Sequence, residues 1–399
     1  MSTSTQMNGF PPSPKNQVTL ANWRTPPFHK WGFQHVRELV PSADIPASGD
    51  TMELPSNPVD LSICQIDHAD GRSMTFYDFL EHTHTDGIVI LRGGDIVFEG
   101  YMTGMTQGTP HILMSVSKSM LGLLAGILIE RGELDPEQLI SEIVPEIVDT
   151  AYHGASVRHL LDMRVGIDFD EDYLAMSGPI IEYRKSTNWN PLEPGEKATD
   201  LRSFYGQLQD RSGKHGGPTN YVSPNNDLLG WVIERATGCR YAELMSTLIW
   251  QPLGATENAY ITVDRLGAPR CAGGMCATTR DLARVGHMVS KGRSRNGTSI
   301  VPQGWIDDIE QGGSTAAWKD GTMAPYFLNL DISYRSQWYS LHGETPLLFG
   351  FGVHGQFLFV DRQNDIVIAK FSSQEMPLDT EKNVLTVSAA TQIVRNLAN

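Results

Sequence analysis

The chain is short of cysteine, of clustered positive charge and of long apolar runs, and each shortage removes a class of explanation. Four cysteines in 399 residues, Cys64, Cys239, Cys271 and Cys276, show neither a Cys-x-x-Cys pair nor a regular spacing. A zinc knot and a dense disulfide framework are therefore set aside, and free thiols in a reducing compartment fit the count. Lys and Arg number 31 against 46 Asp and Glu, a formal charge of −15. Nucleic acid and anionic bilayers are bound through clustered cations that release counterions, so neither is expected as a partner. The longest apolar run, 121–129, contains two glycines and stops at Glu130, well short of the roughly 20 residues that span a bilayer. The first fifteen residues have no charged start and no apolar stretch, so no secretory signal is read and a cytoplasmic location is expected. H-E-x-x-H and G-x-S-x-G are also missing, which excludes a zincin and an α/β-hydrolase elbow.

What is present is ordinary globular material, 40% hydrophobic and 19% charged, enough for one large domain or two intimately joined ones. Residues 1–20, rich in Ser, Thr, Asn and Pro, are expected to form a flexible arm or a tail draped over the body. The run 87–101 places two β-rich segments around Arg92-Gly93-Gly94-Asp95, which predicts a hairpin. Helical patterns dominate 134–263, among them 157–162 and 227–236. Further helices are predicted at 279–291, near 303–311 and over 381–397, with paired strands at 355–360 and 366–371. Strands at both ends with helices between imply an α/β (α+β) fold. Its antiparallel sheet is built from N- and C-terminal segments (21–133 and 264–399) and flanked by helices, with a helical lobe inserted at 134–263.

The chemistry concentrates in His111-Ile-Leu-Met-Ser115-Val-Ser-Lys118-Ser-Met-Leu. Residues three apart on a helix face the same way, so a helix starting near Met114 stacks the Lys118 amine over the Ser115 hydroxyl. That is how a serine nucleophile acquires its base. The first turn also offers free N–H groups and a partial positive charge to an oxyanion. The bare spacing carries little weight, since about one instance is expected by chance in such a chain. Its setting carries more. Met120, Leu121, Leu123, Leu124, Ile127 and Leu128 leave almost no polar face, so the helix should be buried and take Lys118 with it. The alternative is a capping serine beside a lysine that snorkels to solvent. Burial decides between them: an unperturbed lysine is neutral about once in 2,500 molecules at pH 7, a cost of roughly 4.6 kcal/mol unless desolvation lowers its pKa.

Two other motifs fail on context. Gly350-Phe-Gly352-Val-His354-Gly355 matches a dinucleotide fingerprint, but a strand follows it where phosphate binding needs a helix. Asp168-Phe-Asp170-Glu171-Asp172 begins like a calcium loop, but Tyr173 stands in the glycine position and Pro179 in that of the bidentate glutamate. No metal and no cofactor are expected.

Ser-x-x-Lys opening a buried helix after a β hairpin, followed by a helical lobe and returning strands, resembles the serine β-lactamase and penicillin-binding protein superfamily. The similarity is to its class C and esterase branch. There a Tyr-x-Asn motif precedes a Leu-Leu-Gly helix; here Tyr221-Val-Ser223-Pro-Asn-Asn-Asp-Leu228-Leu229-Gly230 keeps the tyrosine and places Ser223 in the asparagine position. Val157-Arg-His-Leu-Leu-Asp-Met163, Ala272-Gly-Gly-Met-Cys-Ala-Thr-Thr-Arg-Asp-Leu-Ala-Arg284 and Gly352-Val-His354-Gly-Gln356 extend the resemblance from about residue 85 to the end. More narrowly, Asn22-Trp-Arg-Thr-Pro-Pro-Phe-His-Lys-Trp31, Met114-Ser-Val-Ser-Lys-Ser119 and Glu171-Asp-Tyr173 are similar to the 6-aminohexanoate-dimer hydrolases. The resemblance implies Ser115 as nucleophile, Lys118 as base and Tyr221 as proton shuttle. It also implies an oxyanion hole from the backbone N–H of Ser115 and of a residue near Val353, and substrate contacts at Tyr173, Ser223 and His354.

Departures from the family shape the expected substrate. His354 stands where penicillin-recognising members place a carboxylate-binding lysine, and a neutral imidazole disfavours β-lactams. Glu171-Asp-Tyr-Leu174 resembles the class A deacylation loop, but Ala175 replaces its asparagine, and the match is read as coincidence. Where nylon-oligomer hydrolases hold a substrate ammonium with an acid about eleven residues after the loop tyrosine, this chain has Arg184. A serine hydrolase of carboxylic esters and small linear amides is therefore expected, with a small-molecule ester or amide as partner and a homodimer left open. A β-lactamase or D-Ala-D-Ala peptidase is the enzymatic alternative, and a noncatalytic scaffold on the same fold the other.

Overall fold

Ile88-Val-Ile-Leu91 has no polar face because the strand it forms is covered on both sides. The computed structural model describes residues 5–68 and 71–398. In it β1 (Thr85–Arg92) and β2 (Asp95–Tyr101) form the expected hairpin. They join β3 (Ile332–Arg335), β4 (Trp338–Leu341), β5 (Leu347–Gly352), β6 (Gln356–Asp361) and β7 (Ile366–Ser372) in a seven-stranded antiparallel sheet. Its spatial order is β2-β1-β7-β6-β5-β4-β3, so residues about 280 apart in sequence, such as Ile90 and Ile368, lie side by side where β1 meets β7.

Alternate side chains along each strand serve different cores. Val89, Leu91, Leu358, Val360 and Val367 enter one, and Ile88, Ile90, Phe357, Phe359 and Ile368 the other. Five helices bear on the site: α1 (Val116–Glu130), α2 (Pro179–Ser186), α3 (Ser223–Thr237), α4 (Thr279–Lys291) and α5 (Thr380–Ala398). Leu282, Val285 and Val289 of α4 cover the first face, while Leu385, Ile393 and Val394 of α5 cover the second.

α1 packs against β5 on one side and α3 on the other. Thirteen of its 15 residues are buried, which its unbroken apolar surface requires. Contact is close enough that a Cβ on Gly122 would lie 2.2 Å from the Ser336 carbonyl, in the turn joining β3 to β4. The first core runs without a break from β1 and β6 through Leu121 and Leu124 of α1 to Leu160, Leu229 and Trp250.

A four-stranded sheet of Ser42–Ile45, Ala259–Thr262, Met275–Ala277 and His111–Ile112 flanks this body. The span read as a helical lobe, 134–263, thus closes on a strand paired with an N-terminal segment. Of the N-terminal arm, residues 1–4 lie outside the described residues. Val18 is buried with Trp23, Phe33 and Val36, and Met7 packs against the same cluster. The rejected fingerprint 350–355 is the end of β5 and the turn into β6. Among the described residues no helix is long and apolar enough to cross a membrane.

Candidate active site

Met114 has a φ of 45°, a left-handed conformation uncommon outside glycine. The bend delivers Ser115 to the head of α1, where its side chain makes no capping hydrogen bond. Lys118 Nζ lies 2.7 Å from Ser115 Oγ, 2.8 Å from the Ala272 carbonyl and 3.3 Å from Ser223 Oγ. The capping and snorkelling alternative fails, because Lys118 is 1% exposed. Burial lowers its pKa to about 7, with Glu171 acting in the opposite direction. Desolvation thereby removes most of the cost of holding a neutral amine.

Tyr221 stands just before α3, whose first turn holds Pro224, a residue tolerated there because that N–H would have no intrahelical partner. Its own N–H donates to Thr322 Oγ1 at 3.0 Å, tying it to a distant loop. The ring is buried with its centre 4.9 Å from Lys118 Nζ. Burial pushes the phenol pKa up, and hydrogen bonds with the hydroxyls of Ser115 and Tyr339 oppose that shift. The serine, lysine and tyrosine named from the sequence therefore meet at one point.

Glu171 joins them. Its carboxylate accepts from the Ser223 N–H and hydroxyl and, at 3.0 Å, from the Tyr173 hydroxyl. Glu171-Asp-Tyr173 stands out in the sequence only as a motif shared with the 6-aminohexanoate-dimer hydrolases, and no role is read there for Glu171 itself, since its partner Ser223 is 52 residues away. Arg270 and Asp227 were missed as well. Arg270 pairs with Asp227 at 2.5 Å, and the other carboxylate oxygen accepts from the Ala272 N–H at 2.8 Å. This buried pair fixes Ala272, whose carbonyl holds Lys118.

At the end of β5 a Cβ on Gly352 would come 2.8 Å from the Ser115 nitrogen. Only glycine allows that approach, which sets Val353 beside the first turn of α1. His354 has φ 63°, and its Nδ1 lies 2.7 Å from the Gln374 carbonyl. Burial lowers its pKa to about 3, leaving the ring neutral. Arg184, on α2, donates to the Tyr173 carbonyl at 3.0 Å.

Ser115, Tyr173, Arg184, Ser223, Val353 and His354 all line one cavity of about 680 Å³. Tyr221 lines a smaller cavity of about 300 Å³, and Tyr173 belongs to both walls. Among the described residues no cluster of side chains could hold a metal ion.

Residues 75–391 match the Beta-lactamase family. The chain belongs to that family. It is 37% identical over 368 residues to the 6-aminohexanoate-dimer hydrolase of Paenarthrobacter ureafaciens, covering 92% of this chain and 91% of the relative. A structure from Bacillus anthracis, provisionally assigned to the same hydrolase type, superposes with a TM-score of 0.87 at 25% identity, covering 96% of this chain and 98% of its own. A hydrolase with promiscuous acyltransferase activity shares the fold at a TM-score of 0.58 and 18% identity, over 77% of this chain and 98% of that one. The protein is thus a β-lactamase-family hydrolase with the β-lactamase-like arrangement of antiparallel sheet and helices.

Proposed function

We propose that this β-lactamase-family hydrolase cleaves carboxylic esters, and small linear amides, through an acyl-enzyme on Ser115. The observation that carries this reading is the buried Lys118 amine, 2.7 Å from Ser115 Oγ and with a pKa lowered to about 7. Neutral Lys118 takes the Ser115 proton as the oxygen attacks the substrate carbonyl. The N–H groups of Ser115 and Val353 receive the oxyanion. Tyr221, kept protonated by burial, gives its proton to the leaving group and regains one from Lys118. Water then attacks the acyl-enzyme by the reverse relay. Glu171 anchors Ser223 and Tyr173 as walls for the substrate, and neutral His354 offers no cation to a β-lactam carboxylate.

The 37% identical relative is named for a linear amide with a free amino end. Arg184 in the cavity repels such an end, so a short acyl p-nitrophenyl ester is expected to be turned over faster than the 6-aminohexanoate dimer, with nitrocefin slow. Comparable kcat/KM for the ester and the dimer would contradict this assignment. The base assignment has its own check. Lys118 is inactive when protonated, so kcat/KM should fall about tenfold per pH unit below about 7 and level off above it. An acid limb absent down to pH 5 would exclude Lys118 as the base.

A further inference from the structure

The larger cavity holds charge that this chemistry does not use. Arg24, Arg184 and Arg270 all reach it. Arg270 is matched by Asp227 at 2.5 Å. Arg24 and Arg184 are not matched: among the described residues neither forms a salt bridge within 4 Å. Arg24 instead donates to Asn190 Oδ1 and, at 3.5 Å, to the Trp189 carbonyl, with its guanidinium 5.5 and 5.6 Å from the rings of Trp23 and Trp189. Its Nε is buried and has no hydrogen-bond partner. Desolvation, with Arg184 and Arg270 nearby, holds its pKa well below the usual arginine value.

The acids near this cluster do not cancel it. Glu171 is committed to Ser223 and Tyr173, and Glu182 lies 3.1 Å from Lys185, which also holds Glu196 at 2.6 Å. Glu193 and Glu375 are exposed at the rim, where water and salt screen them. Glu171 and the exposed Asp172 act on Arg184, and Asp227 and Glu171 on Arg270, while the charged groups that act on Arg24 are the two other arginines. A buried cation without a partner is costly, and a planar guanidinium fork suits a carboxylate.

We infer that the cavity seats a carboxylate of the substrate between Arg24 and Arg184, making the preferred substrate a half-ester or half-amide of a short aliphatic dicarboxylic acid. This rests on the acyl-enzyme reading above. Ser115 lines the large cavity and Tyr221 the small one, so the acyl chain lies on the arginine side and the leaving group on the phenol side. Met114, Ile180 and Trp189 give the acyl methylenes an apolar wall. Asp170 and Asp172 line the small cavity, which turns an anion away from that side. In the reaction Ser115 Oγ bonds to the carbonyl carbon, the carbon–oxygen bond to the alcohol breaks, and the alcohol departs with the proton relayed from Ser115. Water then releases the dicarboxylic acid and restores the serine.

Three p-nitrophenyl esters of matched length test this: hexanoyl, 5-carboxypentanoyl and 6-aminohexanoyl. The carboxylated ester should have a kcat/KM at least about tenfold above the neutral one, with the amino ester lowest. In Arg24→Gln and Arg184→Gln the ratio of carboxylated to neutral kcat/KM should fall by about tenfold, mainly through KM. Adipate should inhibit the wild type competitively, and less well as salt is raised, a readout that needs no variant to fold. Equal kcat/KM for carboxylated and neutral esters, with hydrolysis dependent on Ser115 and adipate without effect, overturns the carboxylate site alone. Hydrolysis that survives Ser115→Ala removes the acyl-enzyme, and this proposal with it.

Discussion

Ser115→Ala is expected to lower kcat for p-nitrophenyl ester hydrolysis by about 10⁴-fold or more and to abolish labelling by a fluorophosphonate. The size follows from how much depends on one oxygen. On the proposed mechanism, removing Oγ removes the acyl-enzyme and leaves the proton relay of Lys118 and Tyr221 nothing to serve, and groups that act as a unit are lost as a unit. The hydroxyl makes no capping bond to α1, so its removal should leave thermal stability within about 1 kcal/mol. Loss of rate without loss of Tm separates a chemical role from a structural one. A variant as active as wild type would remove Ser115 from the mechanism, whereas a wild type that the fluorophosphonate leaves unlabelled would revive the noncatalytic scaffold reading.

The second large effect is expected at Lys118. Lys118→Met keeps the length and volume of the side chain and deletes the amine, so kcat/KM should fall by about 10³-fold or more. The acid limb near pH 7 should vanish from whatever rate remains. Stability should move the other way or hardly at all. Burial already drives the amine toward its neutral form, and replacing a desolvated polar group with an apolar one of similar shape is often neutral or favourable. The remaining cost is the Ala272 carbonyl, which loses its 2.8 Å partner. Urea denaturation beside the pH–rate profile measures both. A variant that keeps its activity and its pH limb would place the base elsewhere.

The parts of this molecule legible in its sequence are those whose cause is local. Ser115 and Lys118 are a turn apart on a helix whose apolar residues announce its burial. The β1–β2 hairpin has Gly93 and Gly94 at its turn, and β6 and β7 are long enough to display β-rich runs. The β3–β4 hairpin lacks such a cue. Its two-residue turn is Ser336-Gln337, with φ of 50° and 72°, a geometry that usually recruits asparagine or glycine. Here the lobe imposes it: the Ser336 N–H donates to Asp162 at 3.0 Å and the Gln337 N–H to the Leu161 carbonyl at 3.0 Å. With four residues in each of its strands, no periodicity betrays them. The site divides likewise. Tyr221 was recoverable through the helix that follows it, whereas Glu171 and Arg24, though they stand in quoted motifs, take their place in the site from Ser223 and from Trp189 and Asn190, and Arg270 from Asp227, all more than 40 residues away.

The unbroken core that passes from the sheet through α1 into the lobe has a mechanical meaning. Sheet and lobe cannot swing apart like jaws to admit a substrate, because any hinge between them would tear Leu121 and Leu124 from neighbours on both sides. Traffic through the cleft must fall to surface loops such as 170–178, whose Leu174 and Met176 face outward, while the serine and its amine stay anchored at the head of a helix buried on every side.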